Sequence, residues 1–150
     1  MPASAEQQLD TFLDKYDPEV AALGRKALAH MRKRLPGAMA VVYDNYNALA
    51  IGFGPEAKAS RMPLSIALYP RWVTLFFMMG AALPDPKRLM AGSGSRVRSI
   101  RLDGIATLKD PDVDALISAA VMHGGWRLDP KAKGELVIKS ISPKQRPRRP

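Results

Sequence analysis

The chain has 150 residues, of which 47% are hydrophobic and 25% charged, and its 23 Lys+Arg against 14 Asp+Glu give a net charge of +9. This length and composition are typical of one globular domain with one hydrophobic core, and they exclude a disordered chain. The sequence contains no cysteine, which excludes disulfides, thiolate zinc sites, iron–sulfur clusters and cysteine nucleophiles.

The first part of the chain is predicted to be helical. Residues 4–16 carry an amphipathic pattern, and Ser4 and Gln7 stand at the spacing of a capping box. Asp17 and Pro18 predict the start of a second amphipathic helix, as its N-cap and its first helical residue. This helix is expected to end at residues 36–37, which are proline and glycine.

A run of short strands is predicted next. The apolar or alternating segments are residues 39–43, 49–53, 64–68, 73–79 and 97–102. The short connections between the first four favour antiparallel hairpins. The segment 73–79 is apolar on both faces, which predicts a central strand covered on both sides.

The last part of the chain is predicted to return to helix. Asp110 and Pro111 form a second pair of N-cap and first-turn proline, and the helix they start is expected to end at residues 124–125, both glycines. Helices on either side of a run of strands indicate a single-domain α+β fold, with a mainly antiparallel sheet of about five strands. We assign residues 1–138 to this domain and residues 139–150 to a basic, proline-rich tail.

The positive charge is concentrated in three stretches, residues 25–34, 85–101 and 139–150. The tail has five cations and no acid, which leaves +4 on the rest of the chain. Like charges interrupted by proline predict an extended, solvated end, which either keeps the protein in solution or binds nucleic acid. In the nucleic-acid alternative the contacting cations are Lys144, Arg146, Arg148 and Arg149 of the tail, with Arg25 and Arg32 of the second helix.

A glycine-rich loop at residues 91–98 could bind an anion. Its backbone N–H groups, the hydroxyls of Ser93 and Ser95, and the guanidinium groups of Arg96 and Arg98 are all suitable donors. The spacing matches neither a Walker loop nor a dinucleotide fingerprint. The alternative is a plain turn.

A polar and aromatic cluster is the second candidate for ligand binding. Tyr43 and Asn45 stand at one predicted strand end and Trp72 at a hairpin turn, where such side chains line ligand pockets or simply complete turns. Arg101 adds a cation from the same strand region as Arg96. The predicted ligand-binding set is therefore Ser93, Ser95, Arg96, Arg98, Arg101, Tyr43, Asn45 and Trp72.

Neither a metal site nor a catalytic centre is indicated. The two histidines, His30 and His123, lie on different predicted helices, whereas a metal site needs several clustered donors. The aspartates at 110, 112 and 114 are explained as a helix cap and first turn, and no calcium loop follows them. We predict no metal ligand, no cofactor and no catalytic residue, and an enzyme of unrecognised type is left open.

Several segments together resemble a known family. They are residues 47–54, 68–70, 79–86, 89–94 and 97–100, followed by residues 136–142 and 145–149. Over more than half its length, from about Tyr43 to Val121, the chain resembles the YdhG-like domain-of-unknown-function family. The resemblance implies a curved antiparallel sheet packed by helices. One branch of that family is regarded as a frataxin-like iron chaperone, a role that the charge of +9 disfavours, because iron prefers exposed carboxylate oxygens.

Taken together, these patterns predict a cytoplasmic protein that binds a small anionic or polar ligand without established catalysis. The N-terminus lacks the basic and apolar regions of a secretory signal, and the longest apolar stretch, residues 72–83, is too short to span a bilayer. The alternatives are a nucleic-acid accessory protein that uses the basic tail and, second, the iron chaperone. Unpaired sheet edges leave a homodimer open.

Overall fold

A computed structural model describes residues 3–58 and 62–150, and in them four α-helices cover one face of a six-stranded sheet. The fold class is therefore α+β, as the sequence predicts. The elements in chain order are α1 (Ala5–Leu13), α2 (Pro18–Arg34), β1 (Met39–Asp44), β2 (Leu49–Gly54), β3 (Leu64–Leu68), β4 (Val73–Phe77), β5 (Arg98–Leu102), α3 (Ile105–Lys109), α4 (Pro111–His123) and β6 (Leu136–Ile141). A short 3-10 helix, Gly80–Ala82, follows β4.

The helix starts are those that the sequence predicts. Ser4 and Gln7 form a reciprocal capping box, in which each side chain accepts a hydrogen bond from the other residue's backbone N–H. Pro18 opens α2 and Pro111 opens α4, where the carboxylate of Asp110 accepts a hydrogen bond from the N–H of Asp112 at 2.8 Å. These local signals fix the first turn of three helices.

The strand order across the sheet is β5-β4-β3-β2-β1-β6. The first five strands pair antiparallel in chain order. The turns from β1 to β2 and from β3 to β4 are short, whereas a long segment that contains the 3-10 helix connects β4 to β5. β6 returns after α4 and pairs parallel with β1. The sheet thus has one strand more than the five expected, and the expected boundary between domain and tail, residue 138, falls inside β6.

The core lies between the sheet and the helices. Leu49, Ile66 and Leu75 face the helices and are fully buried. α2 packs so closely on β3 that a Cβ added at Gly24 would stand 2.5 Å from Cδ2 of Leu68. This glycine lets the helix approach the sheet, and the other face of the sheet is left without a helix.

β4 is only partly what the sequence predicts. It is an interior strand, between β3 and β5, and it is fully covered on one face but only partly covered on the other. Thr74 is buried, whereas Phe76 on the same face is partly exposed.

Among the described helices, none combines the length and the apolar character needed to cross a membrane.

Candidate functional site

A cavity of about 380 Å³ opens at one edge of the sheet, where β2 and β4 end and where β3 and β5 begin. The C-terminus of α4 closes its far side. We call it the edge cavity, and its described lining residues are Pro55, Met62, Pro63, Met78, Met79, Leu83, Arg96, Val97, Ala120, His123, Gly124 and Trp126. This volume lies in the range of small-molecule sites.

Close backbone packing positions one wall of the edge cavity. A Cβ added at Gly80 would lie 2.5 Å from Cβ of Arg98, so only glycine allows the segment after β4 to lie against the start of β5. The N–H of Ala81 donates a hydrogen bond to the carbonyl oxygen of Arg96 at 2.9 Å. Arg96 is thereby held at the rim by its backbone while its side chain stays exposed.

The lining of the edge cavity is apolar except for two side chains that can carry positive charge. These are Arg96, from the loop before β5, and His123, in the last turn of α4. Among the described residues, the guanidinium of Arg96 has neither an ion-pair partner nor a hydrogen-bond partner. Met78 and Met79 are flexible and polarisable, so this wall can adapt to an apolar group. The arrangement suits a molecule with an apolar body and one anionic group.

A second concavity, of about 570 Å³, runs along the face of the sheet that carries no helix. We call it the open-face trough. Its described lining residues are Asn45, Tyr46, Asn47, Ala48, Ala50, Ser65, Ala67, Tyr69, Phe76, Met78 and Val97, none of which is acidic. Met78 and Val97 also line the edge cavity, so the two concavities adjoin at these residues.

Arginine side chains stack on aromatic rings on both sides of the open-face trough. Arg101 lies 4.0 Å from the ring centroid of Trp72, whose ring in turn lies 5.8 Å from that of Tyr69. Across the sheet, Arg146 lies 5.6 Å from the ring centroid of Tyr46. Burial raises the pKa of Tyr69, so its hydroxyl stays neutral at physiological pH.

The structure distributes the predicted ligand-binding set over three places. Arg96 lines the edge cavity. Asn45 lines the open-face trough, and Tyr43 stands on β1 opposite Ala50. Trp72 and Arg101 stand next to Tyr69 at its side, where they also line a third concavity together with Glu19 and Asp103. Ser93 and Ser95 are exposed in the glycine-rich loop.

The guanidinium of Arg98 is held by its own loop. Its Nη1 donates hydrogen bonds to the carbonyl oxygens of Gly94 at 2.7 Å and Val97 at 2.9 Å. The side chain therefore closes the loop onto itself. Arg96, only two positions earlier, makes no such hydrogen bond among the described residues. The eight predicted residues do not form one site.

The predicted nucleic-acid cations of α2 are paired with acids of α1. Arg25 contacts Asp10 at 2.7 Å and Asp14 at 2.8 Å, and these hydrogen bonds raise its pKa. Arg32 contacts Glu6 at 2.7 Å. Arg25 and Arg32 are thus balanced by neighbouring acids, whereas Lys26 and Lys33 of α2 are exposed and have no acidic partner among the described residues.

Most residues of the tail are exposed, as its composition predicts, but the tail is anchored to the domain through one buried arginine. Arg148 is 5% exposed and its Nη2 lies 2.9 Å from Oδ1 of Asp44, which is fully buried at the end of β1. Arg149 contacts Asp17 at 3.7 Å. Two cations of the tail thus form ion pairs with acids that are distant in sequence. Lys144 and Arg146 are exposed and have no acidic partner among the described residues.

Sequence reasoning did not select His123, Trp126, Met78 or Met79, which line the edge cavity. The one available signal was the placement of methionines and a tryptophan next to a strand end and a helix end, and this pattern is equally typical of core residues.

In residues 3–58 and 62–150, no group of three or more histidine, aspartate or glutamate side chains could hold a metal ion.

Comparisons with protein-family models, with curated proteins and with solved structures found no match to this chain. The resemblance to the YdhG-like family thus stays a prediction.

Proposed function

We propose that the protein binds a small amphipathic anion, such as a medium-chain or aromatic carboxylate, in the edge cavity. The observation that carries this proposal is the pairing of an apolar cavity of about 380 Å³ with the free guanidinium of Arg96 and the imidazole of His123 at its wall. The apolar body would lie against Met78, Met79 and Trp126. The anionic group would accept hydrogen bonds from Arg96.

The two parts of such a ligand contribute differently. Burial of apolar surface yields about 25 cal/mol per Å², so the methionine and tryptophan walls supply most of the affinity. A charge-assisted hydrogen bond from arginine contributes about 1.5–3 kcal/mol and selects an anion over a neutral molecule of the same shape. Inorganic phosphate, which has no apolar body, gains only the second contribution.

Tryptophan fluorescence can test the proposal directly. The chain has two tryptophans, and Trp126 lines the cavity while Trp72 lies under Arg101. In a Trp72→Phe background, titration with decanoate should shift the emission of Trp126 in a saturable way. Decanol should bind about tenfold more weakly and inorganic phosphate should produce no shift.

Arg96→Gln in the same background should weaken decanoate binding by about tenfold and leave decanol binding unchanged. Arg71→Gln is the matched control, because Arg71 is an exposed arginine at the β3–β4 hairpin, at the opposite end of the sheet. Equal binding of decanoate and decanol, or equal effects of the two arginine variants, would refute the role of Arg96. No emission shift with any ligand would refute the site.

A further inference from the structure

The face of the sheet without helices carries an unusual share of the aromatic side chains. The chain has ten aromatic residues. Phe12, Tyr16, Phe53 and Phe77 are buried in the core and Trp126 lines the edge cavity, whereas Tyr43, Tyr46, Tyr69, Trp72 and Phe76 stand on or beside the open-face trough. Tyr46 is 48% exposed and Phe76 is partly exposed. The other three, Tyr43, Tyr69 and Trp72, are half-buried, so part of each of the five residues is open to a ligand.

Cations border the open-face trough, and the acids that share a concavity with Arg101 and Trp72, Glu19 and Asp103, line a separate one toward α2. The acids of α1, Glu6, Asp10 and Asp14, are bound to arginines of α2 within the helical layer. Asp112 and Asp114, in the first turn of α4, pair with Lys87 and Arg34. The described residues that line the open-face trough include no acid, and Arg101 and Arg146 stand at its two sides. The face is therefore complementary to a polyanion.

We infer that the open-face trough binds single-stranded nucleic acid, with bases stacked on its aromatic rings and phosphates on the arginines at its sides. Base–aromatic stacking and a cationic border are the two components by which proteins hold single strands without sequence preference. Arg101 on Trp72 and Arg146 on Tyr46 provide both components together, because a guanidinium that already stacks on a ring can also bind a phosphate.

The dimensions fit this ligand. Arg101 stands on β5 and Tyr43 on β1, in one register row with Thr74, Ala67 and Ala50 between them. Four interstrand steps of about 4.8 Å make this row about 19 Å long. Its middle residues are small, so a base can lie close to the sheet. This span accommodates a segment near the lower end of known single-strand site sizes, about four nucleotides.

A single strand fits this face better than a duplex. A duplex stacks its bases internally, so it offers only phosphates and groove edges, which are read by a protruding helix or ribbon. The open-face trough is concave and presents rings. A second copy of the chain is the other occupant to be tested. It fits less well, because two such faces would bring Arg101 and Arg146 against cations of the same sign.

The test uses fluorescence anisotropy of the full chain with a labelled oligothymidine of about 15 nucleotides, and with a duplex of equal length. We expect the single strand to bind more tightly than the duplex, and its Kd to rise steeply between about 50 and 200 mM salt. Arg101→Gln and Arg146→Gln should each weaken binding several-fold. Phe76→Ala should weaken it by about fivefold or more.

Arg32→Gln is the matched control, because Arg32 is an arginine of the helical layer that is paired with Glu6, and it should leave binding unchanged. The proposal is overturned if the single strand does not bind at low salt, if the duplex binds as tightly, or if the Arg32 variant loses as much affinity as the Arg101 variant. A dimer in light scattering that Phe76→Ala dissociates would assign the face to a second copy instead. Decanoate titration of the same preparations reports separately on the edge cavity.

Discussion

At the scale of single residues, the hydroxyl of Tyr16 joins the helical layer to the sheet. It donates a hydrogen bond to the carbonyl oxygen of Leu68 at 2.9 Å and accepts one from the N–H of Leu49 at 3.1 Å. Leu49 and Leu68 stand opposite each other on β2 and β3, so the hydroxyl bridges the two strands at the end of their ladder. Burial raises the pKa of Tyr16 to about 12, which keeps this donor protonated.

Removal of that hydroxyl should be costly. Tyr16→Phe leaves a buried carbonyl and a buried N–H without their partner, and we expect a loss of about 1–3 kcal/mol in the free energy of unfolding. Chemical denaturation of the wild type and the variant measures it. Tyr46→Phe is the control, since Tyr46 is exposed and should change stability little. A Tyr16→Phe variant as stable as the wild type would contradict the bridge.

His30 makes stability depend on pH. Burial lowers its pKa below the ordinary value, although the carboxylate of Asp114 opposes the shift, and its Nε2 is buried without a hydrogen-bond partner among the described residues. Because the unfolded chain then binds the proton more readily, the free energy of unfolding falls as the pH drops below about 6.5. Thermal melts at about pH 7.5 and 5.5 should show this loss in the wild type.

His30→Gln removes the titrating group, so its melting temperature should fall less between the two pH values. His123→Gln is the matched control, because His123 is the other histidine of the chain and is exposed. If the wild type and His30→Gln lose the same stability on acidification, the pH dependence of stability is caused by other titrating groups.

At the scale of elements, the segment after β6 is anchored by a buried ion pair. Asp44 and Arg148 have side-chain exposures of 1% and 4%, and Lys15 adds a second contact to Asp44 at 3.3 Å. Arg148 also donates to the carbonyl oxygen of Asn45. This contact joins the loop after β1 to the end of the chain, on the side of the sheet where β6 pairs with β1.

Arg148→Met should destabilise the fold by about 3–5 kcal/mol, because it leaves the buried carboxylate of Asp44 with only one, half-exposed, cationic partner. Asp44→Asn in addition should restore part of the loss, as a double-mutant cycle would measure. Arg149→Met is the matched control and should change stability by less than about 0.5 kcal/mol. Equal losses for the two arginine variants would show that the pair contributes no more than a surface contact.

The elements that the sequence predicts correctly are those with local signals. Ser4 with Gln7, and Asp110 with Pro111, mark helix starts by hydrogen bonds within one turn, and the first five strands follow from period-two alternation and short turns. β6 was not expected as a strand of the sheet, because its partner β1 lies about 95 residues earlier and parallel pairing leaves no local trace. The burial of Arg148 was missed for the same reason.

The candidate site was less predictable than the fold. Arg96 was selected for its charge, but its cavity is completed by His123 and Trp126, which arrive from the end of α4. Arg98 was selected with it, and its hydrogen bonds to loop carbonyls depend on a loop conformation that residue types do not specify. Pocket geometry of this kind arises from contacts between distant segments.

At the scale of the whole molecule, charge and apolar surface are separated between two sides. The helical layer holds several of its acids and arginines in ion pairs, whereas aromatic rings, methionines and unpaired arginines stand around the two adjoining concavities. Part of the net charge of +9 is thus carried by the arginines around these two concavities. This separation is why we assign ligand binding to the sheet edge and the open face rather than to α2 or to the tail as a whole.

The central claim is that the edge cavity binds a small amphipathic anion, and NMR of the ¹⁵N-labelled protein during titration with decanoate tests it most directly. The two tryptophan indole signals act as internal reporters of two places in the molecule. We predict saturable shifts of the Trp126 indole and of the Met79 and Val97 amides, with the Trp72 indole unchanged. Shifts at Trp72 without shifts at Trp126, or no saturable shifts, would contradict the claim.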